Sequence, residues 1–161
     1  MLALRICIDV DELERGLAFY TTAFDLSVGR RLDPHWAELL GASSAIDLLA
    51  VASGSNPVQN SPLERHFDRH WTPVHLDFVV LDVDASVARA VAAGATLERP
   101  IRDQAYGRIA NLADPFGNGI CLLQLSERGY DALVSPEKRS GAPSGNDEPG
   151  LIHPASAGRG A

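Results

Sequence analysis

His75 and Asp77 stand two apart in "PVHLDFVVLDV", the spacing that puts two side chains on one face of a strand. An imidazole with a carboxylate beside it is the equipment of proton transfer: histidine titrates near neutrality, and the carboxylate orients the ring. The same alternation in "LALRICIDV" sets Arg5, Cys7 and Asp9 on one face and Ile6, Ile8 and Val10 on the other. An arginine there is suited to clamp a carboxylate or phosphate. Cys121, in "NGICLLQL", is a nucleophile or ligand by chemistry. Amid so many apolar neighbours it reads more simply as a small buried hydrophobe. Trp36 and Trp71 suit the wall of a pocket for an apolar or aromatic ligand, and equally a core or an interface. His66 and His70 are four apart, but without an "HExxH" context they read as a solvated helix face.

The elements that must position these residues are legible in the pattern of apolar side chains. "DELERGLAFYTTAF" spaces Leu13, Leu17, Tyr20 and Phe24 as an amphipathic helix. "LSVGRRL", "HWAELLG" and "SAIDLLAV" read as three short strands between polar or Gly turns. Ser61, Pro62 and Glu64 in "NSPLERHF" have the spacing of a helix start. A strand over "PVHLDFVVLDV" and a helix over "DASVARAVAAG", closed by Gly94, come next. The strands "TLERPIR", "YGRIANLA" and "NGICLLQL" complete a second set, with "DPFGN" as a turn before the last. The order is β-α-β-β-β, a linker, and β-α-β-β-β again. The halves superpose as a repeat: a shift of 70 places Arg5 on His75, and a shift of 74 places Asp47 on Cys121.

Bulk properties exclude several classes. The 161 residues are 45% hydrophobic and 22% charged, as for an ordinary globular protein. A net charge of −7 without a basic stripe argues against nucleic acid. No apolar run approaches the ~20 residues of a membrane span. "MLALRICIDV" reads as a first strand and not as a signal peptide, and two cysteines make no disulfide framework. A cytoplasmic location is expected. Gly, Pro and Ser make up 13 of the 27 residues from Ser135 to Ala161, a composition expected of a disordered tail.

Three stretches, "VDELERGLAFYTTAF", "HLDFVVLDVDASVARAVAAGA" and "LADPFGNGICLLQL", resemble the glyoxalase/bleomycin-resistance, or vicinal oxygen chelate, superfamily, and most of all its glyoxalase-like domains of undefined activity. The resemblance implies an α+β fold of two tandem βαβββ modules forming a cup-shaped mixed sheet with helices outside. On that reading residues 1–133 are the domain. Module one spans about 2–53, the linker about 54–72 and module two about 73–125, with a short extension at 126–133 and the tail at 134–161. The resemblance also implies a homodimer, and a divalent metal held by the first and last strands of each module. Carried onto this sequence, those positions are Arg5, Asp47, His75 and Cys121. Only His75 has the usual identity. Asp47 is a short version of the usual glutamate, Cys121 replaces a glutamate and Arg5 replaces a histidine.

Arginine has no lone pair to give and carries a permanent charge that repels a cation. Its natural partner in such a pocket is Asp47. The expected protein is therefore a metal-independent small-molecule binder without a cofactor, with Arg5, Asp9, Trp36, Asp47, His75 and Cys121 lining its site. Two alternatives stay open. One is a lyase, isomerase or dioxygenase-like enzyme on a degenerate divalent site of Asp47, His75 and Cys121. The other is a metal-free acid/base enzyme using His75 and Asp77.

Overall fold

In the chain's first strand, β1 (Ile6–Val10), Ile8 and Val10 are buried while Cys7 is exposed. This is the alternation of a sheet with a covered face and an open one. The computed structural model describes residues 2–134 and consists of β1, α1 (Leu13–Phe24), β2 (Ser27–Asp33), β3 (Trp36–Leu40), β4 (Ile46–Ala50), β5 (Leu76–Val79), α2 (Val83–Ala92), β6 (Thr96–Gln104), β7 (Gly107–Ala113) and β8 (Gly119–Leu125), closed by a 3-10 turn at Gly129–Leu133. The expectation for the tail lies outside the described residues from 135 onward.

Two four-stranded sheets result, ordered β1-β4-β3-β2 and β5-β8-β7-β6. In each the first strand runs parallel to the last, and the other neighbours are antiparallel. The chain is thus a tandem pair of βαβββ modules, as the repeat required. The parallel pairs set the registers that matter: Cys7 opposite Asp47, and Asp77 opposite Cys121.

The helices form where the apolar spacing placed them, and each start is capped. The Glu12 carboxylate accepts from the Glu14 and Arg15 backbone N–H groups at 3.1 Å, and Asp82 accepts from that of Ala85 at 3.0 Å. Helix α1 buries Leu13, Gly16, Leu17, Tyr20 and Ala23, and α2 buries Val83, Ser86, Val87 and Ala90. Gly16 lets α1 approach its sheet: a Cβ there would meet Val10 Cγ1 at 3.0 Å.

The modules are joined through the helices and an aromatic cluster. Phe24 stacks on Phe78 with centroids 4.0 Å apart, and Tyr20 stacks on Phe116 at 6.5 Å. The buried Tyr20 hydroxyl donates to Asp114 Oδ2 at 2.6 Å. Asp114 also accepts from the backbone N–H groups of Phe116 and Asn118 and from Asn118 Nδ2. The "DPFGN" turn is therefore a structural node that locks the second module onto α1.

One expected element is absent. The stretch around Ser61–Phe67 is irregular, not helical. Ser61 Oγ accepts from the Leu63 N–H, two residues on, a local turn that competes with a helix cap. His66 and His70 consequently share no helix face. The linker is pinned instead by Arg65, whose Nε donates to Asp9 Oδ2 at 2.6 Å.

Candidate functional site

Each module carries its polar residues on the sheet face turned away from the helices. In the first module β1, β4 and β3 lie side by side, so Asp47 has Cys7 on one flank and Glu38 on the other. Arg5, one residue before β1, donates through Nε and Nη2 to both Asp47 oxygens at 2.9 and 2.7 Å. The same Nη2 reaches Glu38 Oε1 at 2.8 Å. Arg30 closes the group with two bonds to Glu38, at 2.9 and 2.7 Å, and Trp36 Nε1 donates to Asp47 Oδ1 at 3.3 Å. Two guanidiniums and two buried carboxylates make a closed network of zero net charge. Hydrogen bonds from Arg30 and then Arg5 hold the Glu38 carboxyl at about 2. Asp47 is held below the usual carboxylate range by Arg5 first, against the opposing effect of burial.

The second module repeats the geometry with different chemistry. Asp77 lies opposite Cys121 across β5 and β8, and Asn111 lies opposite Cys121 across β7 and β8. His75, one residue before β5, brings Nε2 to 3.2 Å from Asp77 Oδ1. The ligand-type atoms of His75, Asp77 and Cys121 all lie within 4.8 Å of one another. Cys121 is buried, and its thiol is pushed up to about 12, by burial first and then by Asp77. It is therefore a neutral S–H at physiological pH and not a nucleophile. Asn111 Nδ2 donates to its sulfur at 3.1 Å. Tyr130, from the closing 3-10 turn, packs on Tyr106 at 5.1 Å, and the charge on Asp77 helps raise its phenol above the ordinary value, after burial.

A cleft of about 580 Å³ opens on this face, lined by Trp71, His75, Glu98, Arg99, Arg102, Ile109, Asn111 and Cys121. Trp71 lies against β8 because residue 119 is glycine: a Cβ there would meet the indole ring at 2.5 Å. Its Nε1 donates to Glu98 at 3.2 Å, its edge meets His75 at 5.5 Å, and Arg69, paired with Glu98, covers the ring at 4.7 Å. Two buried polar atoms here have no partner among the described residues, Arg102 Nη1 and Asn111 Oδ1.

The structure thus sorts the expected site residues into two groups. Arg5 and Asp47 pair as anticipated, with Trp36 beside them. His75 and Cys121 come together with Asp77. Among the described residues the group with metal-ligand spacing is His75, Asp77 and Cys121, while Asp47, the third member of the expected set, is paired with Arg5. Asp9 is engaged by Arg65. His70 is in the linker, its Nδ1 2.8 Å from the Asp68 carbonyl oxygen. Sequence reasoning missed Glu38, Arg30, Arg102, Asn111 and Tyr130. The available signal was the repeat: once Asp47 matches Cys121, the facing strand offers Glu38 and Asn111 as a matched pair.

Comparison with known proteins gives three findings. A family described as "Glyoxalase-like domain" matches residues 5–123. An uncharacterised protein of Mycobacterium bovis is 34% identical over 113 residues, which is 68% of this chain and 74% of that protein. Among solved structures, FosX, a fosfomycin resistance protein from Listeria monocytogenes, superposes with TM-score 0.60 at 20% identity over 80% of this chain and 96% of its own. A form of FosX has also been solved with Mn(II) and 1S,2S-dihydroxypropylphosphonic acid. TnmS3, an antibiotic binding protein from Streptomyces sp. CB03234, superposes with TM-score 0.55 at 22% identity over 78% and 97%. At such identities the structural likeness concerns the fold.

Proposed function

The chain belongs to the glyoxalase-like domain family, and from that premise we propose that it is a metal-independent small-molecule binding protein of the glyoxalase/bleomycin-resistance type, with its ligand in the second-module cleft. One observation carries this reading: Arg102 Nη1 and Asn111 Oδ1 are buried and unpartnered in a single cleft. Buried polar groups are nearly always satisfied, by protein, ordered water or a bound ligand. A ligand that supplies both partners finds an aromatic wall in Trp71. The description of TnmS3 as an antibiotic binding protein supports the same reading.

The fold family implies a divalent metal, and the residues of this chain meet that demand only in part. The first module cannot take a cation, because Arg5 and Arg30 already neutralise both carboxylates. In the second module, His75, Asp77 and Cys121 have suitable ligand types and spacing for an ion such as zinc. Opposing them, the thiol must first lose a proton that burial and Asp77 hold to about 12, against the smaller effects of Asn111 and Arg102, which favour the thiolate. The convergence of these three side chains favours a second reading, an enzyme. On it they would hold the metal, which would supply Lewis acidity to a lyase, isomerase or dioxygenase-like reaction. Without metal, His75 and Asp77 could still move a proton.

The test is a thermal-shift screen of small molecules on chain dialysed against EDTA. The reading expects stabilising compounds that bind one per chain and lose their effect in Trp71→Ala. Compounds that stabilise only after a divalent metal is restored would overturn it in favour of the enzyme.

A further inference from the structure

We infer that the ligand of the second-module cleft is a planar aromatic anion bearing a hydroxyl, its ionised oxygen on Arg102, its hydroxyl on Asn111 and its ring against Trp71. This rests on the metal-free reading of the same cleft.

Charge decides the first feature. Among the groups lining the cleft, Glu98 is paired with Arg69. Arg99 and Arg102 have no ion-pair partner among the described residues. Asp77 lies opposite Cys121, its Oδ1 3.2 Å from His75 Nε2. The cleft therefore has a cationic side at Arg102 and an acidic side towards Asp77. An anionic oxygen belongs at the first, where a charge-assisted hydrogen bond to guanidinium is strong. The other end of the ligand should be neutral and able to donate.

Donor and acceptor inventory decides the second feature. A guanidinium N–H can only donate, so Arg102 Nη1 requires an acceptor. Asn111 Nδ2 is committed to the Cys121 sulfur, so its open atom is the carbonyl Oδ1, which requires a donor. An anionic oxygen and a hydroxyl on one ligand satisfy both.

Shape decides the third. Trp71 is about half exposed, with Gly119 close against its ring and Arg69 4.7 Å from the ring centroid, so its position is fixed. Ile109 supplies an apolar wall of the same cleft. A fixed indole favours an aromatic ring over a flexible chain, through an edge-to-face contact and low entropy loss.

The experiment is a calorimetric titration of the EDTA-dialysed full chain with 1-, 3- and 6-hydroxy-2-naphthoate, 2-naphthoate, the methyl esters of the hydroxy acids, and a saturated decalin carboxylate. The expected result is that at least one hydroxynaphthoate binds one per chain, tenfold or more tighter than its methyl ester and than the decalin acid. Arg102→Gln should remove the preference for acid over ester, and Asn111→Leu the preference for hydroxynaphthoate over naphthoate. Esters or decalin acid binding as well as the hydroxy acids, or no binding by any probe, would overturn the inference. If the screen still finds neutral or cationic compounds that protect the metal-free cleft, the binding function stands while this ligand class falls. If binding of every compound needs metal, both fall.

Discussion

At the residue scale, the two modules differ in how they satisfy equivalent positions. Asp47 and Glu38 are closed off by Arg5 and Arg30, and Cys121 and Asn111 leave polar capacity open. The Glu38 carboxyl is held at about 2 against an ordinary 4.5. Its folded value is depressed, so its contribution to stability is complete above 4.5 and is lost as pH falls towards 2. Glu38→Gln should therefore lower the melting temperature most at neutral pH, and the gap from wild type should shrink between pH 4.5 and 2. A gap that is constant with pH would show that Glu38 acts by shape alone. The cysteines give a second prediction. With its thiol pushed up to about 12 by burial and Asp77, Cys121 stays protonated at pH 8, and it is buried, whereas Cys7 is exposed. Iodoacetamide on the folded chain should modify Cys7 first, with Cys121 at least about a hundredfold slower. Equal rates by peptide mass analysis would contradict the site geometry.

At the element scale, the "DPFGN" turn is the joint between modules. Tyr20→Phe removes a buried hydrogen bond to a carboxylate and should cost about 1.5–3 kcal/mol in urea unfolding. Asp114→Ala strands three further donors as well and should cost more than Tyr20→Phe. If the two variants lose the same amount, the turn is not held as described. Much of this level was legible in the sequence. The apolar stripe of Leu13, Leu17 and Tyr20 fixes α1, and period two in "RICIDV" fixes which face of β1 is open. The pairing of Arg5 with Asp47 followed from charge and from the positions that the family resemblance implies. The Ser61 turn was not legible, because a serine can cap a helix or close a local turn, and contacts elsewhere choose between them. The roles of Arg102 and Asn111 were hidden for another reason. They depend on cross-strand register, and β6 has irregular pairing between Arg99 and Arg102, around Pro100. Proline has no N–H for the ladder and is at home in such an edge strand.

At the scale of the whole molecule, the described residues hold a closed polar cluster in the first module and an open cleft in the second, and one ligand is expected in that cleft. No helix among the described residues is long and apolar enough to cross a membrane. Val28, Leu32, Trp36 and Leu40 expose apolar surface on β2 and β3, and pairing of two chains would cover such a face. A homodimer is the proposed state, and sedimentation that finds only monomer at high concentration would count against it. The central claim is that ligand binding needs no metal, and the metal content of the protein purified without chelator tests it most directly. Elemental mass spectrometry should find far less than one zinc, manganese, nickel or iron per chain. One equivalent per chain in the wild type, lost in His75→Ala, would contradict it and make His75, Asp77 and Cys121 the ligands of an enzyme.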